Sequence, residues 1–167
     1  MRTLLVFLLA FLGSAGSLQA ADPFVGTWKL NVAKSNPAPT PPGMAIKKEG
    51  KEETVVIQET SERYEVQRTL KGTRENGSAI DLSQRYWFPL KGGPITYSEG
   101  PPPAAGTSGI MKKIDDSTIV LVTTRDGTVA SSTHITVNAN SKTMRVDTTE
   151  VDAQGQPVQG LAVFDKQ

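Results

Sequence analysis

The chain of 167 residues contains no cysteine and only one histidine. Without thiols there is no disulfide, no thiolate metal site and no cysteine nucleophile. The single histidine, His134, is accompanied by no Gly-x-Ser-x-Gly elbow, so nucleophilic catalysis lacks its usual partners. It also has no second ligand two or four residues away, so no metal or cofactor is expected. Charge of one sign is missing as well, with 18 Lys and Arg against 17 Asp and Glu. That balance removes the electrostatic reason for nucleic acid or an anionic membrane as partner. The carboxylate pairs Glu52-Glu53 and Asp115-Asp116 are adjacent in sequence. Glycoside hydrolysis needs two carboxyls about 5–9.5 Å apart across a cleft, which adjacency does not supply. Long apolar runs are confined to Leu4–Leu12, too short for a spanning helix of about 20 residues.

That one run sits in a recognisable setting. Arg2 precedes it, small and polar residues follow, and Leu18-Gln19-Ala20 ends in a small residue. Residues 1–20 therefore read as a secretory signal peptide cleaved before Ala21. The expected product, residues 21–167, is a single domain, secreted or periplasmic, with no membrane insertion after cleavage. Loss of Arg2 leaves its basic and acidic residues equal in number.

Beyond the leader nearly every segment has the period of a strand. Candidate strands are Phe24–Leu30, Glu53–Glu59, Arg63–Leu70, Ala79–Phe88, Ser108–Ile114, Thr118–Thr124, Val129–Asn138, Thr143–Val151 and Val158–Asp165. They are rich in Thr, Val and Ile, which suit a pleated, half-buried surface. Tyr64, Val66 and Leu70 alternate with polar residues, as do Ile135 with Val137 and Met144 with Val146, the signature of antiparallel strands with one wet face. Asn76-Gly77 and Asp126-Gly127 predict tight hairpins. Asp115-Asp116-Ser117, Asn138-Ala139-Asn140 and Ala153-Gln154-Gly155 predict polar turns. Asn31–Gly43 and Glu99–Gly106 are longer, proline-rich loops. Sequential strands joined by short turns predict an all-β, antiparallel up-and-down barrel; a β-sandwich fits the same strand pattern.

Phe24-Val25-Gly26-Thr27-Trp28-Lys29-Leu30 favours the barrel. Its Gly-x-Trp resembles the opening of the lipocalins and their calycin relatives, and Phe-x-Gly-x-Trp-x-Leu resembles the first strand of fatty-acid-binding proteins. The resemblance implies that Trp28 plugs the closed end of a barrel, with Arg145 on the penultimate strand as the candidate arginine over it. The last strand departs from the fatty-acid-binding pattern: Ala162 and Phe164 stand where that family has the arginine and tyrosine of its carboxylate clamp. The helical lid is replaced by Asn31–Gly43. Gly26–Asn31, Ala33-Lys34-Ser35 and the ending Asp152–Val158 are similar to a group of small exported bacterial lipocalin-like proteins with no assigned biochemical role.

The implied function is a non-catalytic barrel that binds a small, largely apolar ligand inside. Tyr64, Tyr86, Phe88 and Met111 are the expected ligand-binding residues, because alternation puts Tyr64 with Val66 and Tyr86 with Phe88. The expected ligand is neutral or weakly polar, since the carboxylate clamp is lost. Two alternatives stand beside this reading. One is a filled-core module that contacts protein or envelope through its loops; the other is a small hydrolase or isomerase using His134. A cavity of a few hundred Å³ separates the first reading from the filled core.

Overall fold

A computed structural model describes residues 22–40, 43–152 and 154–167. The leader, its cleavage point, two prolines of the first long loop and Ala153 of the last turn lie outside the described residues. The strands are β1 (Gly26–Leu30), β2 (Glu52–Glu59), β3 (Arg63–Thr73), β4 (Ala79–Pro89), β5 (Gly93–Pro94), β6 (Thr96–Glu99), β7 (Thr107–Asp115), β8 (Thr118–Arg125), β9 (Thr128–Val137), β10 (Thr143–Val151) and β11 (Pro157–Lys166). Nine of them match the strands expected from alternation, most longer by a residue or more at an end. The first begins two residues late, because Pro23 and Phe24 form a turn closed by Val25 N–H donating to Asp22 C=O. Of the Asn31–Gly43 loop, Val32–Lys34 forms one 3₁₀ turn, capped by the Asn31 side chain.

All strands belong to one antiparallel sheet in the order β5-β7-β8-β9-β10-β11-β1-β2-β3-β4-β6. The first and last long strands are neighbours, with Trp28 opposite Lys166 and Leu30 opposite Phe164. A sandwich would have kept them in separate sheets, so the architecture is the barrel. Its two sheet edges are consecutive in the chain. Gly93–Pro94 pairs with β7, Ile95 N–H donates to Gly109 C=O, and Tyr97 then pairs with Tyr86 on β4. One short segment thus changes partners at Ile95 and brings the open edges of the sheet together, which removes most of the edge hazard of a free sheet.

The two predicted hairpins differ. Asp126 and Gly127 both take positive φ, 50° and 79°, as a two-residue turn that follows strand twist requires. At Asn76-Gly77 only Gly77 does. Arg74 N–H donates to Ser78 C=O, so this turn is wider by design.

Alternation carries inward side chains from every long strand into one core: Trp28, Val55, Ile57, Val66, Phe88, Met111, Ile119, Val137, Met144 and Phe164 among them. Turns after β2, β4, β7 and β9 lie at the same end as residues 22–25. The two proline-rich loops and the turns after β3, β8 and β10 lie at the other.

Candidate functional site

The first end is sealed. Trp28 is fully buried and its indole N–H donates to the carbonyl of the equally buried Phe24 at 2.8 Å. Lys166, the cross-strand partner of Trp28, places its Nζ 5.0 Å from the indole centroid. Gly26 makes room for this: a Cβ there would stand 2.6 Å from Lys166 Cε, at a φ of +140°. Arg145 is not the cation over Trp28. Its neighbours Met144 and Val146 point inward, so Arg145 points out, and its guanidinium forms a two-pronged ion pair with Asp147 on the wet face.

Tyr64 belongs to the same seal. Its hydroxyl donates to Asp22 Oδ2 at 2.5 Å, Lys113 Nζ donates to the same oxygen, and Phe24 N–H donates to Oδ1 at 2.9 Å. Burial works to raise the Asp22 pKa, but these hydrogen bonds outweigh it and hold the carboxyl below its usual range. The Tyr64 hydroxyl is pushed up, first by burial and then by the neighbouring carboxylate. Tyr64 was expected to line the ligand cavity. It is buried, stacked on Phe88 at 5.1 Å between ring centroids, yet it lies below the cavity and does not line it.

Above the seal is a cavity of about 450 Å³. Phe24, Ile57, Phe88, Met111, Ile119, Met144 and Phe164 form its apolar wall. Three of the four expected residues, Tyr86, Phe88 and Met111, line it. Val55, Val66, Leu121, Ile135, Val146 and Leu161 extend that wall, and Glu53, Arg68, Ser131, Thr133, Thr148 and Glu150 are the polar groups of the lining. Glu53 shares the inward phase of Val55 and Ile57, and Arg68 that of Val66, with Arg68 Nε donating to Glu53 Oε1 at 2.7 Å. The expectation of an apolar lining left this charged pair out. The signal was present, two opposite charges in the buried phase of adjacent strands. The Tyr86 hydroxyl is pushed up to about 12, chiefly by burial.

The mouth is crossed by the chain that follows the 3₁₀ turn. Asn36 pairs with Leu161 in both directions, at 2.8 and 2.7 Å, and Pro37 and Ala38 line the cavity. Gly160 permits this approach, since a Cβ there would stand 2.5 Å from the Ala38 nitrogen. Where a helical lid was absent from the sequence, an extended strap covers part of the opening.

His134 is exposed on the outer face of β9, opposite Asp147 on β10 and Val120 on β8. Among the described residues no cluster of three or more potential metal ligands occurs, and no helix is long and apolar enough to cross a membrane.

The chain matches no protein-family model and no curated protein sequence. Solved structures do resemble it. The S-type phycobiliprotein lyase CPES from Guillardia theta is 14% identical, with 87% of this chain and 89% of that chain covered at a TM-score of 0.51. Rv2717c from M. tuberculosis is 15% identical, with 92% and 98% covered at a TM-score of 0.52. At these identities the likeness is one of fold. Together with the closure of β11 onto β1, it identifies the architecture as an antiparallel up-and-down β-barrel, lipocalin-like in fold.

Proposed function

We propose that the protein is an exported, non-catalytic barrel that holds a small, largely apolar molecule in its interior. The observation that carries this reading is the cavity of about 450 Å³, apolar at depth and with its polar groups towards the mouth. Binding pockets are concave and mostly apolar, with a few placed polar groups. The volume falls within the roughly 300–1,000 Å³ of small-molecule pockets. Tyr86, Phe88 and Met111 supply ring and thioether contacts for such a ligand. The void argues against the filled-core module, whose interior would be packed. The non-catalytic part of the proposal rests on His134, which stands on the outer wall away from the cavity. Export to the periplasm or the medium rests on the leader at residues 1–20, and the neutral charge supports no nucleic-acid partner.

Native mass spectrometry of protein purified from its own host tests the reading. A retained small molecule, released by denaturation and absent from a variant with the cavity filled by Ala162→Trp, is the expected result. A bare mass, together with no binding of a neutral apolar dye, would overturn it.

A further inference from the structure

Among the described residues, the three other arginines that form ion pairs each engage two guanidinium nitrogens. Arg63 reaches Glu65 through Nε and Nη2, Arg145 reaches Asp147 through Nε and Nη2, and Arg85 uses Nη1 on Glu99 and Nη2 on Gln67. Arg68 differs. It meets Glu53 through Nε alone, and among the described residues no acceptor meets its two terminal amino groups. Glu53 is likewise half used: Oε1 takes the Arg68 bond and Oε2 receives none, although the side chain is only 10% exposed. Neither free group is sealed off, the Arg68 side chain being 35% exposed, so a donor and an acceptor stand side by side on the cavity wall with bonding capacity that water or a ligand can take. Tyr86, next to them on the wall, offers a hydroxyl that hydrogen-bonds no described residue and feels both charges.

We infer that the Glu53–Arg68 pair is the head-group receptor of the cavity, selecting apolar molecules that end in a neutral group able both to accept and to donate hydrogen bonds, such as a carboxamide, over those ending in a carboxylate. The head-group carbonyl accepts from Arg68 Nη, its N–H donates to Glu53 Oε2, and the tail lies along Phe88, Met111 and Met144. A carboxylate fits badly for a reason of charge. Arg68 is already neutralised by Glu53, and Glu150 adds a second negative group to the same lining, so an added anion meets a net negative wall. This inference rests on the interior-binding reading and deepens it.

The test displaces aminoanthracene, a neutral fluorophore of about the right size, with dodecanamide, methyl dodecanoate and dodecanoate. Wild type should bind them in that order. Glu53→Gln should tighten dodecanoate relative to the amide by about tenfold, as one charge-assisted hydrogen bond at the low end gives. Arg68→Met should remove the head-group preference while the fluorophore still binds. The double variant Glu53→Leu with Arg68→Met guards against misfolding, because an apolar replacement of a buried pair is often tolerated; it too should bind fluorophore without ranking the heads. Fluorophore binding with dodecanoate preferred by wild type, or with a ranking that neither substitution moves, overturns the receptor and leaves the cavity reading standing. No fluorophore binding to wild type overturns both.

Discussion

At one end of the barrel Asp22, Tyr64 and Lys113 satisfy one another beneath Phe24 and Trp28, whereas at the other Arg68 and Glu53 keep bonding capacity in reserve beside a strap of loop. The same strands run through both ends, so the difference does not come from secondary structure. It comes from which polar groups find protein partners. The sealed end converts buried polarity into rigidity, since a fully satisfied network is fixed in one arrangement. The mouth leaves polarity unspent, which a stability-driven fold would not do. Regions of low local stability and open bonding are where ligands enter.

The comparison breaks most decisively at Trp28. If the sealed end carries the stability of the barrel, Trp28→Ala should cost about 3–5 kcal/mol through lost burial and the cavity left behind. Urea denaturation measures it. A midpoint unchanged by the substitution would mean that the two ends do not differ as described.

A second test uses pH. The folded Asp22 carboxyl has a pKa below its ordinary value of 3.8, so the unfolded chain binds the proton more readily. Its contribution is therefore present above the ordinary value and is lost as pH falls through the lower folded one. Melting temperature followed from pH 6 downward should drop more steeply in wild type than in Asp22→Asn. The exposed carboxylates Asp147 and Asp165 also titrate low and leave a residual slope in the variant. Equal slopes would show that the network at the seal is not a stabilising one.

Much of the fold, though little of this contrast, was legible in the sequence. Turn dipeptides and alternation located nine strands, and the Gly-x-Trp opening pointed to closure of the first strand on the last. What escaped was set by contacts distant in sequence. Gly93–Glu99 has no alternation to read, and its change of partner at Ile95 exists only because two sheet edges meet there. The burial of Tyr64 followed from its phase with Val66, but its partner Asp22 is 42 residues away and nothing local announces the bond. Arg145 was readable and misassigned: standing between inward Met144 and Val146, its own phase places it outside.

At the mouth, Gly160→Val probes the strap. The new side chain must displace backbone at Ala38, and overpacking there should cost about 1 kcal/mol, the low end of its usual range, because the loop can lift. The larger effect should be kinetic, with faster release of aminoanthracene in stopped-flow dilution. An unchanged release rate would remove the strap from any role in retention.

The smallest effects distinguish two cations around the seal. Lys166 lies over Trp28 and donates to the Pro23 carbonyl at 3.3 Å. Lys166→Ala should lower stability by about 1 kcal/mol, the scale of a partly exposed cation–π contact. Arg145→Ala removes a solvent-screened ion pair with Asp147, of the kind that contributes little, and should leave the denaturation midpoint where it was. Measured side by side at low and high salt, the two variants separate contact with the plug from charge in general. If Arg145→Ala proved the more damaging, the cation that matters to the sealed end would lie on the outer wall, and the plug would have to act through β10 rather than through the strand that closes the barrel.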